Sequence, residues 1–379
     1  MQAIRKTAKF FLITSNVVAV ILLILSCYGP SYTEGKYWIL NLLNIPSFYY
    51  MLITLAFIGI WLFAKPALSL ISISAFLICW TPLKHVFQWK LDDHFSMKKG
   101  PNEIRIMSWN IEHLRIREHR TQPELKQKML KLIKEYNPDV ACIQELVAGD
   151  SAKDAINDVE KIRKQLGYPY LYYSYDKKKD YDRRHHFGNA ILSKLPLVNI
   201  KTFSPDPDNY NSNFFFADVV HDDDTIRFFN IHLQSFKLNK SDRNYIDNPS
   251  LDDQESIDES KSILKKFKKG YEWRRKQVVD IKAEMNKSTH PVILCGDFND
   301  QPNSYAYTHL LEGLDDPYLK HGSGLGNTFT GLLPILRIDH IFTDKSIESR
   351  QFIRVEKNYC DHYPLVGDFI PRKKNQPER

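Results

Sequence analysis

The feature that most restricts how this chain can fold is the stretch from Phe10 to Tyr28, which carries no charged side chain. A helix needs about 20 mainly apolar residues to cross the hydrocarbon core of a bilayer, and helices buried in soluble proteins rarely run this long without a charge. Two more apolar stretches follow, at 47–64 and, shorter, at 67–83. We therefore predict that residues 1–90 form a membrane anchor with three transmembrane helices, over 10–28, 47–64 and 67–83.

A cleaved signal peptide is the alternative interpretation of the first stretch, because "ILSC" ending at Cys27 faintly resembles a lipoprotein cleavage site. Two further apolar stretches follow directly, and no small-x-small site stands out. These observations favour a helix that is retained in the mature protein.

The positive charges beside the first helix predict its orientation. Arg5, Lys6 and Lys9 precede it, and such clusters resist translocation and stay in the cytoplasm. Three crossings then place the soluble remainder of the chain outside the cytoplasm. The third stretch is short and is followed by Lys84 and Lys90. If it fails to cross, the remainder faces the cytoplasm.

Composition and charge narrow the class of protein. The chain is 43% hydrophobic and 26% charged, with a net charge of +7. This mild basic excess suits an anionic substrate or an anionic membrane surface, but it falls well short of a dedicated nucleic-acid binder. The five cysteines form no CxxC pair, which argues against a zinc site or a disulfide framework and favours buried free thiols.

The part of the chain after the anchor is predicted to be a linker, 91–102, and an α/β domain, 103–371. The predicted strands are 103–111, 139–145, 170–175, 187–193, a hairpin over 213–235 that turns at Asp222–Asp224, 328–330, 338–343 and 364–370. The predicted helices are 123–136, 152–166 and 271–285, and an exposed, partly helical insertion is predicted at 237–269. A purely parallel sheet would need a crossover helix between each pair of strands. This order therefore predicts two packed sheets with helices outside.

Several predicted strands end in polar side chains that can bind a cation or move a proton. They are Asn110, Glu145, His232, Asp297 with Asn299, Asp339, and Asp361 with His362. Several such ends imply a shared edge at which these groups converge. Carboxylate and amide oxygens without cysteine are ligands for hard cations, so they indicate Mg²⁺, Mn²⁺ or Ca²⁺ rather than structural zinc. The histidines remain for proton transfer and for contacts with an anion.

Seven short motifs carry a resemblance to a known family. They are "SWNI", "IQE", "FGNAILSK", "NIHLQS", "GDFND", "RIDHIF" and "DHYPL", in this order along about 103–370. The chain resembles the endonuclease/exonuclease/phosphatase superfamily, DNase-I-like metal-dependent phosphoesterases, in a membrane-anchored bacterial form. The resemblance implies that 103–371 is a catalytic domain with a four-layer α/β/β/α sandwich, preceded here by the three transmembrane helices.

The resemblance also implies a role for each polar strand end. Glu145 matches the principal Mg²⁺ ligand, and Asn110 and Asp361 match residues beside the metal. The residues matched to phosphate binding are Asn110, Asn189, Asn299 and His362. Mg²⁺ is the implied cofactor, with Mn²⁺ or Ca²⁺ as alternatives.

The matched catalytic residues are His232, Asp297, Asn299, Asp339 and His362. Asp297 and Asn299 match the pair that positions the attacking water, and either Asp297 or His362 takes its proton. Asp339 orients His362, and His232 stabilises or protonates the leaving group. Two positions depart from the family pattern: Cys360 stands where serine is common, and His340 where tyrosine is common. Strand alternation turns His340 away from Asp339, which indicates a structural role.

These inferences predict a membrane-anchored, divalent-metal-dependent phosphoesterase that hydrolyses phosphodiesters. The substrate is a nucleic acid or a phospholipid headgroup, and the sequence leaves both open because one fold hosts many functions. The alternative from another class is a catalytically silent, membrane-tethered binding module of the same fold. The complete set of polar strand ends argues against it.

Overall fold

The computed structural model describes residues 2–90, 94–149, 154–203, 214–222, 224–250 and 254–371. The chain divides into two compact units. The helical unit comprises Met1–Trp89, Phe236–Arg275 and Asp300–His309. The sheet unit comprises Lys90–Ser235, Lys276–Asn299 and Leu310–Arg379.

The described part of the sheet unit contains two six-stranded sheets. The strands are β1 (Ile104–Asn110), β2 (Val140–Ala148), β3 (Tyr170–Asp180), β4 (His186–Ser193), β5 (Leu197–Phe203), β6 (Phe214–His221), β7 (Asp224–His232), β8 (Val292–Asp297), β9 (Leu314–Asp315), β10 (Asp339–Asp344), β11 (Ile347–Arg354) and β12 (Leu365–Pro371). One sheet has the order β11-β12-β1-β2-β4-β3, and the other has the order β5-β6-β7-β8-β10-β9. In both sheets parallel and antiparallel neighbours are mixed.

The side chains of alternate strand residues build two cores. On β1, Ile104 and Ile106 face the second sheet and pack in one cluster with Ile293 and Cys295 of β8. Trp109 of the same strand packs on the opposite face, against the helices α6 (Glu124–Tyr136) and α7 (Val159–Leu166). This confirms the predicted α/β/β/α sandwich, in which the inner face of each strand leads to the space between the sheets.

The helical unit is built around the apolar N-terminal segment. Its helices are α1 (Gln2–Tyr32), α2 (Trp38–Asn44), α3 (Ser47–Ala64), α4 (Pro66–Ile78), α5 (Trp80–Val86), α8 (Lys240–Asp247) and the first part of α9 (Gln254–Met285), and it includes most of α10 (Tyr305–Leu311). α11 (Pro317–His321) lies in the sheet unit.

Two helices in the described residues are long and apolar enough to span a membrane, and the predicted third span is broken. The two are Ile4–Tyr32 and Ser47–Ala64. In place of a helix over 67–83, α4 and α5 meet at a bend of 67°, so they form a third span only if the bent pair counts as one. Pro82 explains the bend, because proline has no N–H to donate to Ile78 and its ring clashes with that carbonyl. The hydroxyl of Tyr28 donates to the Ile78 carbonyl instead, at 2.6 Å.

Several predicted elements have other bounds in the structure. α9 is one helix that includes both the predicted helix 271–285 and much of the predicted insertion. That insertion is not fully exposed, because Asp242 and Ile263 are buried. α7 begins at Val159 rather than near 152, and positions 152 and 153 lie outside the described residues, as does Asp223 of the predicted hairpin turn. No strand forms over 328–330, where Phe329 makes only an isolated bridge with His362.

Candidate active site

Three strands of the second sheet bring polar side chains to one level. His232 on β7 is the register partner of Asp297 on β8, and Asp297 is the partner of Asp339 on β10. All three residues alternate onto the face that packs against the first sheet, as do Cys295 and Ile341. They are buried. The strand register therefore places these three side chains next to one another, as one cluster.

The first sheet adds Asn110 and Glu145 to this cluster. The Asn110 side chain donates from Nδ2 to Asp297 Oδ2 at 3.0 Å, so the two sheets meet directly through site residues. Glu145 lies where the β2–β4 register shifts and has a left-handed backbone with φ 51°. Such a conformation costs roughly 1–2 kcal/mol for a residue other than glycine. Bulges of this kind re-aim side chains near active sites, and here the bulge aims Glu145 at His232.

A histidine–aspartate pair lies beside Asp297. His362 Nδ1 lies 2.8 Å from Asp339 Oδ2, and His362 Nε2 lies 3.8 Å from Asp297 Oδ2. The indole N–H of buried Trp109 donates to the His362 carbonyl at 3.0 Å, which fixes the backbone of the histidine. The pair orients Nε2 of His362 toward the centre of the cluster.

Glu145 lies between two imidazoles. Its carboxylate is 3.3 Å from His113 Nε2 and 3.5 Å from His232 Nε2. Burial pushes the pKa of Glu145 upward, but the nearby imidazoles, of which His113 contributes most, and the Asn110 side chain outweigh burial and hold that pKa below its usual value. Glu145 is therefore an anion at neutral pH.

The other ionisable groups of the cluster are perturbed in opposite directions. Burial, with the nearby Asp339 carboxylate, raises the pKa of Asp297 to about 8, and burial raises the pKa of Asp361 to about 6. Burial lowers the pKa of His232. Burial also opposes the charge on His362, but Asp339 outweighs it and holds the pKa of His362 well above its usual range. The cluster thus combines a cationic histidine, a neutral histidine and a carboxylate that can accept a proton near neutral pH.

Comparison with known proteins identifies the family. Residues 107–356, most of the sheet unit's sequence, match the model of the endonuclease/exonuclease/phosphatase family. The chain belongs to this family. A second model, described only as a domain of unknown function, matches residues 8–86. No curated protein sequence is similar enough to give a significant match.

Several solved structures are similar to most of this chain. A family member from Bacteroides vulgatus has a TM-score of 0.50 at 16% identity, over 71% of this chain and 99% of that one. A member from Beutenbergia cavernae has a TM-score of 0.49 at 16% identity, over 72% of each chain. The catalytic domain of human Nocturnin, solved with a bound sulfate, has a TM-score of 0.49 at 19% identity, over 71% of this chain and 93% of that one. At these identities the likeness concerns the fold alone.

The structure brings together most of the residues that the sequence singled out. Asn299 lies next to Asp297, whose Oδ1 accepts its backbone N–H at 2.7 Å. Asp361 lies near His362, with Oδ1 3.9 Å from Nε2. Asn189 is buried on β4, in register with Ser174 of β3, and its phosphate-binding role remains a prediction. His340 packs between the rings of Phe298 and Phe342, as strand alternation predicts.

Two residues of the cluster were missed by the sequence reasoning. His113 contacts Glu145, and Glu112 Oε2 accepts the backbone N–H of Asp361 at 3.0 Å. Both lie in the turn 112–115, in which all four residues have left-handed φ angles between 41° and 61°. The signal was an acid and an imidazole directly after "SWNI", but no periodicity predicts a left-handed turn of residues other than glycine.

The residues of the cluster fit a hard divalent cation, which family members generally require. Asp297, Asp339 and His362 place ligand atoms within 4.8 Å of one another, but Asp339 and His362 already bind each other. Glu145, Asn110 and Asp361 offer a better set, because they supply only oxygen ligands. Asp361 Oδ1 and His232 Nε2 are buried atoms without a hydrogen-bond partner, so both can contact an ion, a water or a ligand.

Proposed function

We propose that this chain is a membrane-anchored, divalent-metal-dependent phosphodiesterase. The observation that carries the proposal is the cluster itself. Strands of both sheets contribute to it, and it contains an anionic Glu145, a paired His362–Asp339 and an Asp297 with a raised pKa. Phosphodiester hydrolysis needs charge neutralisation at the non-bridging oxygens, a positioned water and stabilisation of the leaving oxygen. The cluster can supply all three.

Each residue has a specific role in this proposal. Asp297 accepts the proton of the attacking water, because a base is most effective when its pKa lies near the working pH. His362, kept cationic by Asp339, donates from Nε2 to a non-bridging phosphate oxygen. His232 is neutral, so it stabilises the leaving oxygen by hydrogen bonding and does not transfer a proton. Asn299 holds Asp297 through its backbone N–H.

Glu145, Asn110 and Asp361 would hold the cation, which is Mg²⁺ or Mn²⁺ in this proposal. When bound, the cation supplies positive charge for the phosphate oxygens and lowers the pKa of water. The deep burial of Asp297 and His232 excludes bulk water from the rest of the cluster, which strengthens every charge–dipole contact there.

The test uses the full chain in detergent with bis(p-nitrophenyl) phosphate as a generic phosphodiester. EDTA should abolish hydrolysis, and added Mg²⁺ or Mn²⁺ should restore it. His362→Ala should lower kcat by about 10²–10⁴-fold. His321→Ala is the matched control, because His321 is a half-buried histidine that contacts Ser349 outside the cluster. Full activity in EDTA, or equal activity of both variants, would contradict the proposal.

A panel of natural substrates distinguishes the two substrate classes. The candidate spans in the same chain favour a phospholipid headgroup over a nucleic acid, so hydrolysis of phosphatidylglycerol or sphingomyelin should exceed that of single-stranded DNA and RNA. The silent binding module of the same fold predicts cation binding without turnover of any substrate. Isothermal titration with Mn²⁺ beside the activity assay distinguishes that outcome.

The catalytic domain lies outside the cytoplasm in this proposal. The N-terminal cluster of Arg5, Lys6 and Lys9 stays inside, and α4 with α5 crosses as one bent span. All five cysteines are buried, which protects free thiols in an oxidising compartment. A C-terminal alkaline phosphatase fusion should be active and a C-terminal green fluorescent protein dark. The reverse pattern would mean that the bent pair does not cross.

A further inference from the structure

The helical unit contains two segments that lie far along the chain from the N-terminal helices. Both segments begin close to site residues in the sequence: Phe236 follows His232 by four positions, and Asp300 directly follows Asn299. Within the helical unit, the segment 300–309 makes buried polar contacts with α2, α5 and α9. We propose that the N-terminal helices position the segment 300–309, and through it Asn299 and Asp297, so that the anchor is a working part of the catalytic domain.

Asn44 makes the first attachment. Its Nδ2 donates to the Pro302 carbonyl at 2.9 Å and to the Ser26 carbonyl of α1 at 3.1 Å. The side chain is fully buried at the end of α2. One amide group therefore ties the segment to two apolar helices at once.

Asn303 makes the second attachment, to α5. Its Nδ2 donates to the Pro82 carbonyl at 2.9 Å, and its Oδ1 lies 2.8 Å from His85 Nδ1. Asn303 is buried and left-handed, with φ 67°. Asparagine adopts this conformation more readily than other residues with a side chain, and these two hydrogen bonds fix the direction of its amide group.

Asn41 of α2 makes the third attachment. Its Oδ1 accepts the backbone N–H of Tyr305 at 3.1 Å, and its carbonyl accepts the hydroxyl of Tyr271 on α9 at 3.2 Å. A buried pair follows, in which Arg274 Nε lies 3.3 Å from Asp300 Oδ2. The segment is thus fixed at its first residue by α9 and at later residues by the N-terminal helices.

These contacts distinguish a positioning role from a simple tether. A tether needs only apolar helices, and it gives no reason for buried asparagines that point at a distant part of the sequence. Buried polar groups are costly unless they are paired. The three attachments pair them with atoms of the segment that begins one peptide bond after Asn299.

The test measures amide hydrogen exchange over residues 297–309 in the full chain in detergent. Asn44→Ala and His85→Ala should each accelerate exchange there by about tenfold or more. The affected amides should include the Asn299 N–H, which donates to Asp297. Asn16→Ala is the matched control, because Asn16 is a buried asparagine of α1 whose Oδ1 bonds Ser72 Oγ at 2.6 Å instead. It should leave this exchange unchanged. Unchanged exchange over 297–309 in both Asn44→Ala and His85→Ala would overturn the proposal.

The consequence for turnover rests on the proposed function and is measured separately. Asn44→Ala and His85→Ala should lower kcat by about ten- to a hundredfold with little change in KM, since small misplacements of catalytic groups have effects of this size. Asn16→Ala should keep the wild-type kcat. Faster exchange with an unchanged kcat would restrict the role to local structure and refute positioning. A chain that hydrolyses nothing would fail the proposed function, while the exchange result would still decide whether the helices hold Asn299.

Discussion

The His362–Asp339 pair supports the sharpest prediction. Asp339→Asn keeps the shape of the side chain but removes its negative charge. That charge raises the pKa of His362, whereas burial lowers it. A hydrogen bond between charged groups contributes about 1.5–3 kcal/mol, and this pair is joined at 2.8 Å with both partners buried. If that stabilisation is expressed in the transition state, its loss slows kcat by about 10- to 150-fold. Loss of the proton from His362 at neutral pH slows the reaction further.

The pH profile distinguishes this effect from general damage. With Asp339 present, the raised pKa of His362 keeps the imidazole charged through neutral pH. Without Asp339, burial lowers that pKa, so the rate of the variant relative to that of wild type should rise as the pH is lowered from 8 to 6. The free energy that the pair contributes to folding depends on pH in the same direction. It is fully present below the unfolded-state histidine pKa of about 6.5, and it is lost as the pH rises through the folded-state pKa of His362. The difference in Tm between wild type and Asp339→Asn should therefore narrow at alkaline pH.

The assay is steady-state hydrolysis of a phosphodiester at saturating Mg²⁺ from pH 6 to 9, with Tm measured on the same samples. The variant also removes the negative charge beside Asp297 that raises its pKa, so at neutral pH we expect the Tm to fall by less than the loss of the pair alone would give. A kcat within threefold of wild type, or a variant profile parallel to that of wild type, would refute the assignment of His362 as a charged phosphate donor.

Three further predictions concern the metal and the backbone. Glu145→Gln should weaken Mn²⁺ binding by at least about tenfold without unfolding the chain, as titration calorimetry can check, and an unchanged affinity would remove Glu145 from the ligand set. Since Asp361 has a pKa of about 6 and must lose its proton to bind a cation, Mn²⁺ affinity should rise between pH 5 and 7 and then level off, whereas a flat profile would argue against Asp361. Gly296→Ala should destabilise the fold by about 2–4 kcal/mol, because a Cβ there would lie 2.0 Å from the Ile231 carbonyl at φ 153°, while Gly59→Ala, whose Cβ meets nothing within 4 Å, should not. Similar Tm values for the two alanine variants would refute that steric argument.

The sequence predicted the sheets and the cluster for a physical reason. Alternation places Asp297 on the same face as Ile293 and Cys295, and apolar neighbours of that kind are readable without a structure. Strand order and register are not readable, so the adjacency of His232, Asp297 and Asp339 required the structure.

Other features depend on backbone conformation or on distant contacts. The left-handed turn that carries Glu112 and His113 violates local preference, which is why both residues were missed. Pro82 is a signal for the break between α4 and α5. The apolar residues around it nevertheless favoured one continuous span. The burial of α9 residues depends on partners more than 200 positions away, such as the bond from Tyr271 to Asn41.

The attachment of Asn44 to Pro302 joins residues 258 positions apart, and this separation has a consequence for biosynthesis. Ribosomes extend a chain by about 5–20 residues per second, so Asn44 waits roughly 13–50 seconds before Pro302 is made. During that interval the Pro302 acceptor of Asn44 and the Asn303 side chain that bonds Pro82 and His85 do not yet exist, although the helices around them are complete. The N-terminal part of the nascent chain therefore waits, incompletely paired, until most of the sheet unit has been synthesised. Changes that slow translation between residues 90 and 300 should expose it to quality-control proteases for longer than changes elsewhere in the message.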